Sequence, residues 1–391
     1  MPAKLLAIAA CIFIIKEVNM RIVLLCFVLL LSWQFEAKAA QDFSAIWSDS
    51  MSLMSKGMEL VAQGKDDKER TLSEIITFRD SKFQRLLNQC FEILADSETL
   101  DLLHKRNKLL KKIQRNNQKI VELQKEYIGA PEEHWNPLKA TKKSITSRIK
   151  SLKEENKALE QDIQKAKQDT QAAINARGIP ITQEQIETLL TAADGEDTAS
   201  IMAVAENVKQ IQGKIEELAQ APDSSIELLK TYTGIYMMCH KVYAYAIEHA
   251  LEQIQKVYLK KLKSLQAEAQ ELLGNARKMV RDVSEADRKI LETNIQANQR
   301  TLEVINLYTR YMQNQARNLE RLQAQAEKSA AVAVNTYRTV KTSTELLNMV
   351  RASYNEFAQI FSFEPPNLSL LYDARLRTEF EQITNKIRFD N

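Results

Sequence analysis

The sequence predicts an all-α fold: an elongated bundle of long helices from which an antiparallel coiled-coil hairpin protrudes. Three observations carry this expectation. The 391 residues include 8 glycines and 7 prolines, far below the usual ~7% and ~5%, which leaves little material for tight turns, phosphate-binding loops or strand corners. Charged residues make up 27% and aromatic residues 7%, a balance suited to long solvated helices around a thin apolar seam. Between Thr99 and Arg177 two heptad patterns face each other across a break punctuated by Gly129 and Pro137.

Residues 1–39 carry export information. From Met20 the order is a basic start at Arg21, an apolar run from Ile22 to Leu31, and Ala37-Lys38-Ala39, the pattern of a signal peptide with a small-x-small cleavage site. Export to the periplasm or beyond and a mature start at Ala40 follow, with Met20 favoured as the initiator. An upstream apolar run, Leu5 to Ile15, is separated from the first by Lys16, Glu17, Asn19 and Arg21, so the two do not merge into one spanning helix. An uncleaved N-terminal membrane anchor is the competing reading. Ile8-Ala9-Ala10-Cys11 resembles an acylation box, but its flanks do not fit one.

Residues 40–98 are expected to form N-terminal helices of the bundle, with Phe43 to Leu94 packing along later ones. The hairpin follows, over 99–177. Leu102, Leu109 and Leu123 alternate with Ile113, Ile120 and Tyr127 at coiled-coil core spacing, and Leu138, Ile145, Leu152 and Leu159 with Ile149 and Ile163 in the second arm. One polar residue intrudes in each arm, Asn116 and Asn156. Folding the chain back between Gly129 and Pro137 sets these two amides opposite each other, and slipping by a heptad would bury each against aliphatic carbon, so the pair selects the register.

The hairpin is also the basic part of the chain. Lys105, Arg106, Lys108, Lys111, Lys112, Arg115 and Lys119 occur with no acid among them, as do Lys139, Lys142, Lys143, Arg148, Lys150 and Lys153. The whole chain has a formal charge of +3, so a basic arm is balanced by an acidic remainder. Such an arm can steer toward an anionic envelope surface, although lysines at outer coiled-coil positions also serve simply as a solvated face. No aromatic residues interleave the lysines, which argues against nucleic acid.

Beyond the hairpin, the caps punctuate the chain. Over 178–222, Gly178-Ile179-Pro180 stops the second arm, and Asp194-Gly195-Glu196-Asp197 separates a short helix near 183–193 from another near 200–220. Residues 223–364 are the expected long-helix core. Ser224 with Glu227 reads as a capping box opening a helix toward Gly274, its first half apolar on most faces. Ser284 with Asp287 opens another, patterned at three-four spacing as far as Phe361 and running antiparallel to the first. Residues 365–391 hold Pro365-Pro366 and then an amphipathic helix with Leu376, Phe380, Ile383 and Ile387 on one face, expected to fold back on the bundle.

No catalytic constellation, cofactor motif or metal-ligand spacing is present. His240 and His249 are nine residues apart, Cys239 and His240 point about 100° apart on a helix, and there is no Gly-rich phosphate loop, GxSxG or CxxC. Cys90 and Cys239, the cysteines left after signal removal, are a candidate disulfide in an oxidising compartment. The function expected is non-enzymatic: a coiled-coil scaffold of the bacterial cell envelope, engaging other envelope proteins through helical surfaces, with oligomer formation open, as an accessory of a secretion or pilus-type assembly. A secreted α-helical pore-forming toxin component is the alternative. Its candidate tongue, Ile226 to Leu251, contains Lys230, His240, Lys241, Glu248 and His249, too many polar groups for a simple span.

Overall fold

The computed structural model describes residues 46–64, 81–95, 97–132, 140–176, 181–219, 225–281, 283–342 and 376–389. The expected signal segment, Leu138 and Lys139, Gly178 to Pro180, Ser224, and the chain from residue 343 to Pro366 lie outside them. The described residues contain helices and turns and no strand, so the protein is all-α. It divides into two compact units, Met1–Leu53 and Met54–Asn391. In the first, residues 46–53 are helical, and the Ser50 hydroxyl donates to the Ile46 carbonyl at 2.6 Å. All that follows concerns the second, a helical bundle.

Its helices are α1 (54–62), α2 (Lys82–Ala95), α3 (Glu98–Gly129), α4 (Lys142–Ala176), α5 (Gln183–Thr191), α6 (Gly195–Ala219), α7 (Ile226–Glu252), α8 (Leu259–Met279), α9 (Glu285–Thr342) and α10 (Arg377–Phe389), with a π-helical turn, Gln253–Tyr258, joining α7 to α8. Gly64, at φ 68°, closes α1 in the left-handed conformation that glycine adopts without strain. Ser97 caps α3 by accepting from the Leu100 N–H at 3.3 Å, with Glu98 and Asp101 in the first turn complementing the helix dipole.

The core centres on α7. Ile235, Met237, Met238, Val242 and Ile247 are fully buried, and α2, α6 and α9 pack around them. The sequence expectation that this helix is surrounded is met, but its boundaries differ. Ser225, not Ser224, accepts from the Leu228 N–H at 3.2 Å, and Gly274 lies inside α8 rather than ending a helix. Helix α9 begins as expected: Ser284 accepts from the Asp287 N–H at 3.3 Å and donates to its carboxylate at 2.6 Å. It runs antiparallel to α7 and α8, since Gln255 bonds Glu320 and Gln266 bonds Asn306.

Helices α3 and α4 pack on each other as an antiparallel pair, hereafter the arm. At its outer end the Lys142 N–H donates to Pro131 O at 3.0 Å, and the Lys142 ammonium lies 5.8 Å from the Tyr127 ring centre. Ile120, Ile145 and Leu159 are buried between the helices. Tyr127, expected in that seam, is instead 40% exposed, because at the open end of the pair its ring turns out under Lys142.

Candidate functional site

Sequence reasoning places the interesting residues on the arm; the densest polar chemistry is instead where α5 meets α6. A capping box opens α5: Thr182 accepts from the Gln185 N–H at 3.2 Å, and Gln185 accepts from the Thr182 N–H at 2.9 Å. The chain turns through Ala192 and Ala193, and the Thr198 N–H reaches back to Asp194 O at 2.9 Å. Asp194-Gly195-Glu196-Asp197 separates α5 from α6, as expected, and α6 begins within it at Gly195 rather than near 200. The N-terminus is where a helix best tolerates negative charge, and it permits Asp194 to be buried and Asp197 to be partly so.

Helix α9 faces this turn with Tyr308, Tyr311 and Gln315, all buried. The Ala193 N–H donates to the Tyr308 hydroxyl at 2.7 Å, Tyr308 shares a 2.7 Å bond with Thr384 of α10, and Thr384 donates to Thr191 O at 2.6 Å. A threonine hydroxyl has one proton, and this one is used on Thr191. Tyr308 is consequently the donor to Thr384, and the chain runs in one direction from the Ala193 amide to the Thr191 carbonyl. Tyr311 and Gln315 each reach Asp194 at 3.4 Å. The π-helical turn brings Tyr258 to Asp197 at 2.5 Å; a wider turn of this kind commonly sits where a helix must place one side chain out of register.

The positive charge comes from α10 and the base of the arm. Arg388 donates to Ala192 O at 2.6 Å and to Asn107 Oδ1 at 3.2 Å, and Asn107 in turn donates to Glu196. Arg106 donates to Leu190 O at 2.8 Å. Expected on the solvated basic face, Arg106 is in fact 6% exposed; burial, with Arg388 nearby, lowers its pKa to about 10. Lys261 of α8 caps the end of α10 through Ile387 O at 2.7 Å, and Arg300 pairs with Glu379 at 2.5 Å. Phe380, Ile383 and Ile387 of α10 are buried, so the C-terminal helix does fold back on the bundle.

Burial governs the titration of this cluster. It pushes the Asp197 carboxyl up to about 7, helped by the charges of Asp194 and Glu196 and opposed by the Tyr258 hydrogen bond and Arg388. Asp194 is raised for the same reason, with Gln315, Arg388 and Tyr311 opposing. Tyr258, Tyr308 and Tyr311 are all pushed upward by burial, so they keep their protons. The site joins the α5–α6 turn, α9, α10 and the base of α3 through hydrogen bonds around two costly carboxyls. Its chemistry is that of holding helices together around a titratable centre. Among the described residues, no group of three or more His, Cys, Asp or Glu is placed to hold a metal ion.

The residues singled out in the sequence fall into three groups. Asn116 and Asn156 come together: Asn116 Nδ2 donates to Asn156 Oδ1 at 3.0 Å and to Glu155 at 3.0 Å, and Asn156 donates to Asn117 at 2.8 Å. Replacing both asparagines with leucine is expected to raise stability by about 1–2 kcal/mol while promoting self-association, read by thermal unfolding and sedimentation velocity. Cys90 and Cys239 are both buried and stand as free thiols. Burial raises Cys90 to about 12 and Cys239 further, Cys90 contributing to the latter. Native protein beginning at Ala40 is expected to leave a thiol-reactive dye unreacted, and the same protein denatured without reduction to release two thiols per chain. The basic residues other than Arg106 and the undescribed Lys139 lie along the arm, Lys112 pairing with Glu155 and Lys142 with Glu132, both at 2.7 Å.

No protein-family model, curated protein or solved structure matches the chain.

Proposed function

We propose that this chain is an exported, non-enzymatic scaffold of the bacterial cell envelope that engages its partners through the α3–α4 arm, as an accessory of a secretion or pilus-type assembly. One observation carries the reading: the arm satisfies its own buried amides through the Asn116–Asn156 layer while its flanks remain exposed and rich in cations. Two supporting points stand beside it. The signal-like N-terminus favours export. The carboxyls and tyrosines where α5 meets α6 are spent on hydrogen bonds that join helices, an economy suited to holding geometry rather than turning over substrate. Among the described residues no helix is long and apolar enough to cross a membrane.

The test is photo-crosslinking in the producing bacterium, with the crosslinkable residue at Lys111 on the arm or at Lys263 on α8, both exposed. Discrete adducts from Lys111 in the envelope fraction, absent from Lys263, are expected. Retention of the chain in the cytosol would defeat the reading, and so would leakage of dye-loaded vesicles on addition of the purified protein, the behaviour of a pore former.

A further inference from the structure

The hydrogen bond between Asn117 and Asn156 fixes which flanks of α3 and α4 lie on the same side of the arm. Successive helical residues are about 100° apart, so Val121 and Ile128, seven residues apart, share the flank of α3 that carries Asn117. Lys143, Lys150, Lys153 and Lys157 share the flank of α4 that borders it. The acids of the outer half of α3, Glu122 and Glu126, fall on the opposite flank, where Lys112 meets Glu155. The Asn117 flank thus combines exposed aliphatic side chains, Val121 at 49% and Ile128 at 84%, with four exposed lysines. Two acids border these lysines: Glu154 near the flank's edge, 3.9 Å from Lys150, and Glu160, exposed and seven residues from Lys153, on the seam side toward the arm's base. Ile128 is about 33 Å along the helix from Arg106 at the arm's base, taking 1.5 Å per residue.

We propose that this flank is a membrane-surface contact: Val121 and Ile128 enter the headgroup region of a bilayer, and Lys143, Lys150, Lys153 and Lys157 pair with anionic phospholipid phosphates. The inference rests on the arm being the interacting element and narrows what it meets. Lysines alone would suit any polyanion. The aliphatic pair decides among them, since a polysaccharide offers nothing apolar to receive isoleucine, and nucleic acid would call for stacking side chains. Paired apolar and basic residues on one helical flank are what interfacial binding needs, each lysine near an anionic leaflet strengthening it about five-fold.

The experiment is co-sedimentation of the purified protein beginning at Ala40 with vesicles of phosphatidylcholine alone or mixed with phosphatidylglycerol. Binding to the mixed vesicles only, weakening with salt, is expected. Lys143→Glu, Lys150→Glu and Lys153→Glu together should weaken it at least about a hundredfold, and Val121→Ser with Ile128→Ser about tenfold. The opposite-flank set Lys108→Glu, Arg115→Glu and Lys119→Glu should weaken it far less. All these side chains are exposed, and an unchanged thermal transition certifies each variant as folded. Failure to sediment with either vesicle overturns the inference, as does equal loss from the two charge sets or undiminished binding by the serine variant. Capture of a soluble acidic protein or polysaccharide in place of vesicles overturns it too. Should vesicles fail while adducts from Lys111 persist in the envelope fraction, the scaffold reading survives and the lipid contact does not.

Discussion

Replacing Arg388 with methionine is expected to destabilise the protein by about 3 kcal/mol above neutral pH, and by distinctly less near pH 5. The arginine brings positive charge to a region where Asp194 is buried and Asp197 partly buried, and removing one partner of such a charge cluster leaves the others uncompensated. The pH dependence follows from the carboxyls. Asp197 moves from an ordinary 3.8 to about 7 on folding, so its protonated form is favoured by the fold. Its contribution to stability is fully present below about pH 4 and is lost as pH rises through 7. Arg388 offsets part of that loss, and its absence costs most once the carboxyl is ionised. Other charged or titratable groups face the cluster: Tyr258 from the π turn, Tyr308 and Tyr311 from α9, Glu196 from α6, Glu381 from α10, and Arg106 with His104 from α3, the latter 3.7 Å from Glu196. Urea unfolding at both pH values, in a His104→Gln background, isolates the carboxyls. In an Asp194→Asn, Asp197→Asn background the Arg388→Met cost should fall to about 1 kcal/mol, what remains being the lost hydrogen bonds to Ala192 and Asn107. An equal cost at both pH values and in both backgrounds would mean that Arg388 acts only as a hydrogen-bond donor.

Local signals were legible and distant ones were not. Heptad spacing and two intruding amides sufficed to pair α3 with α4, because a coiled seam is written into consecutive residues at fixed intervals. Ser284 with Asp287 marked the start of α9, and the apolar stripe of Phe380, Ile383 and Ile387 marked α10. The polar lock escaped notice for two physical reasons. Asp-Gly-Glu-Asp is the composition of a solvated turn, and only the neighbours decide whether such carboxyls are exposed. Those neighbours are far away in the chain: Tyr311 is 117 residues from Asp194, and Arg388 is 196 from Ala192. Arg106 shows the same limit from the other side. By composition it belongs to a run of surface cations, yet its position at the base of the arm puts it against Leu190 O, 84 residues on. Two local hints were available, the Thr182-x-x-Gln185 capping box and the one-turn spacing of Tyr308 and Tyr311. Neither says what lies opposite.

Gly195→Ala is expected to be among the most damaging single substitutions in this unit, costing about 3 kcal/mol, while Gly213→Ala in the same helix should stabilise by about 0.5–1 kcal/mol. Both glycines belong to α6, so helix propensity favours alanine at each. What separates them is space. A Cβ at Gly213 meets nothing within 4 Å, whereas one at Gly195 collides with the backbone carbonyl of Leu189 and comes 3.6 Å from the Arg388 guanidinium. A flexible side chain would yield to an added methyl, but the Leu189 carbonyl belongs to α5, and shifting it moves the turn that carries Ala192, Ala193 and Asp194. The Tyr308–Thr384–Thr191 chain and the Arg388 bond to Ala192 O depend on that turn. The damage from Gly195→Ala should therefore spread to the C-terminal helix: hydrogen exchange in α10 is expected to accelerate in this variant and to stay unchanged in Gly213→Ala. Protection of α10 left intact in a destabilised Gly195→Ala protein would show that the turn and the C-terminal helix are energetically independent. That result would remove the basis for treating the Asp194 and Asp197 carboxyls, Tyr308 and Arg388 as one cooperative unit.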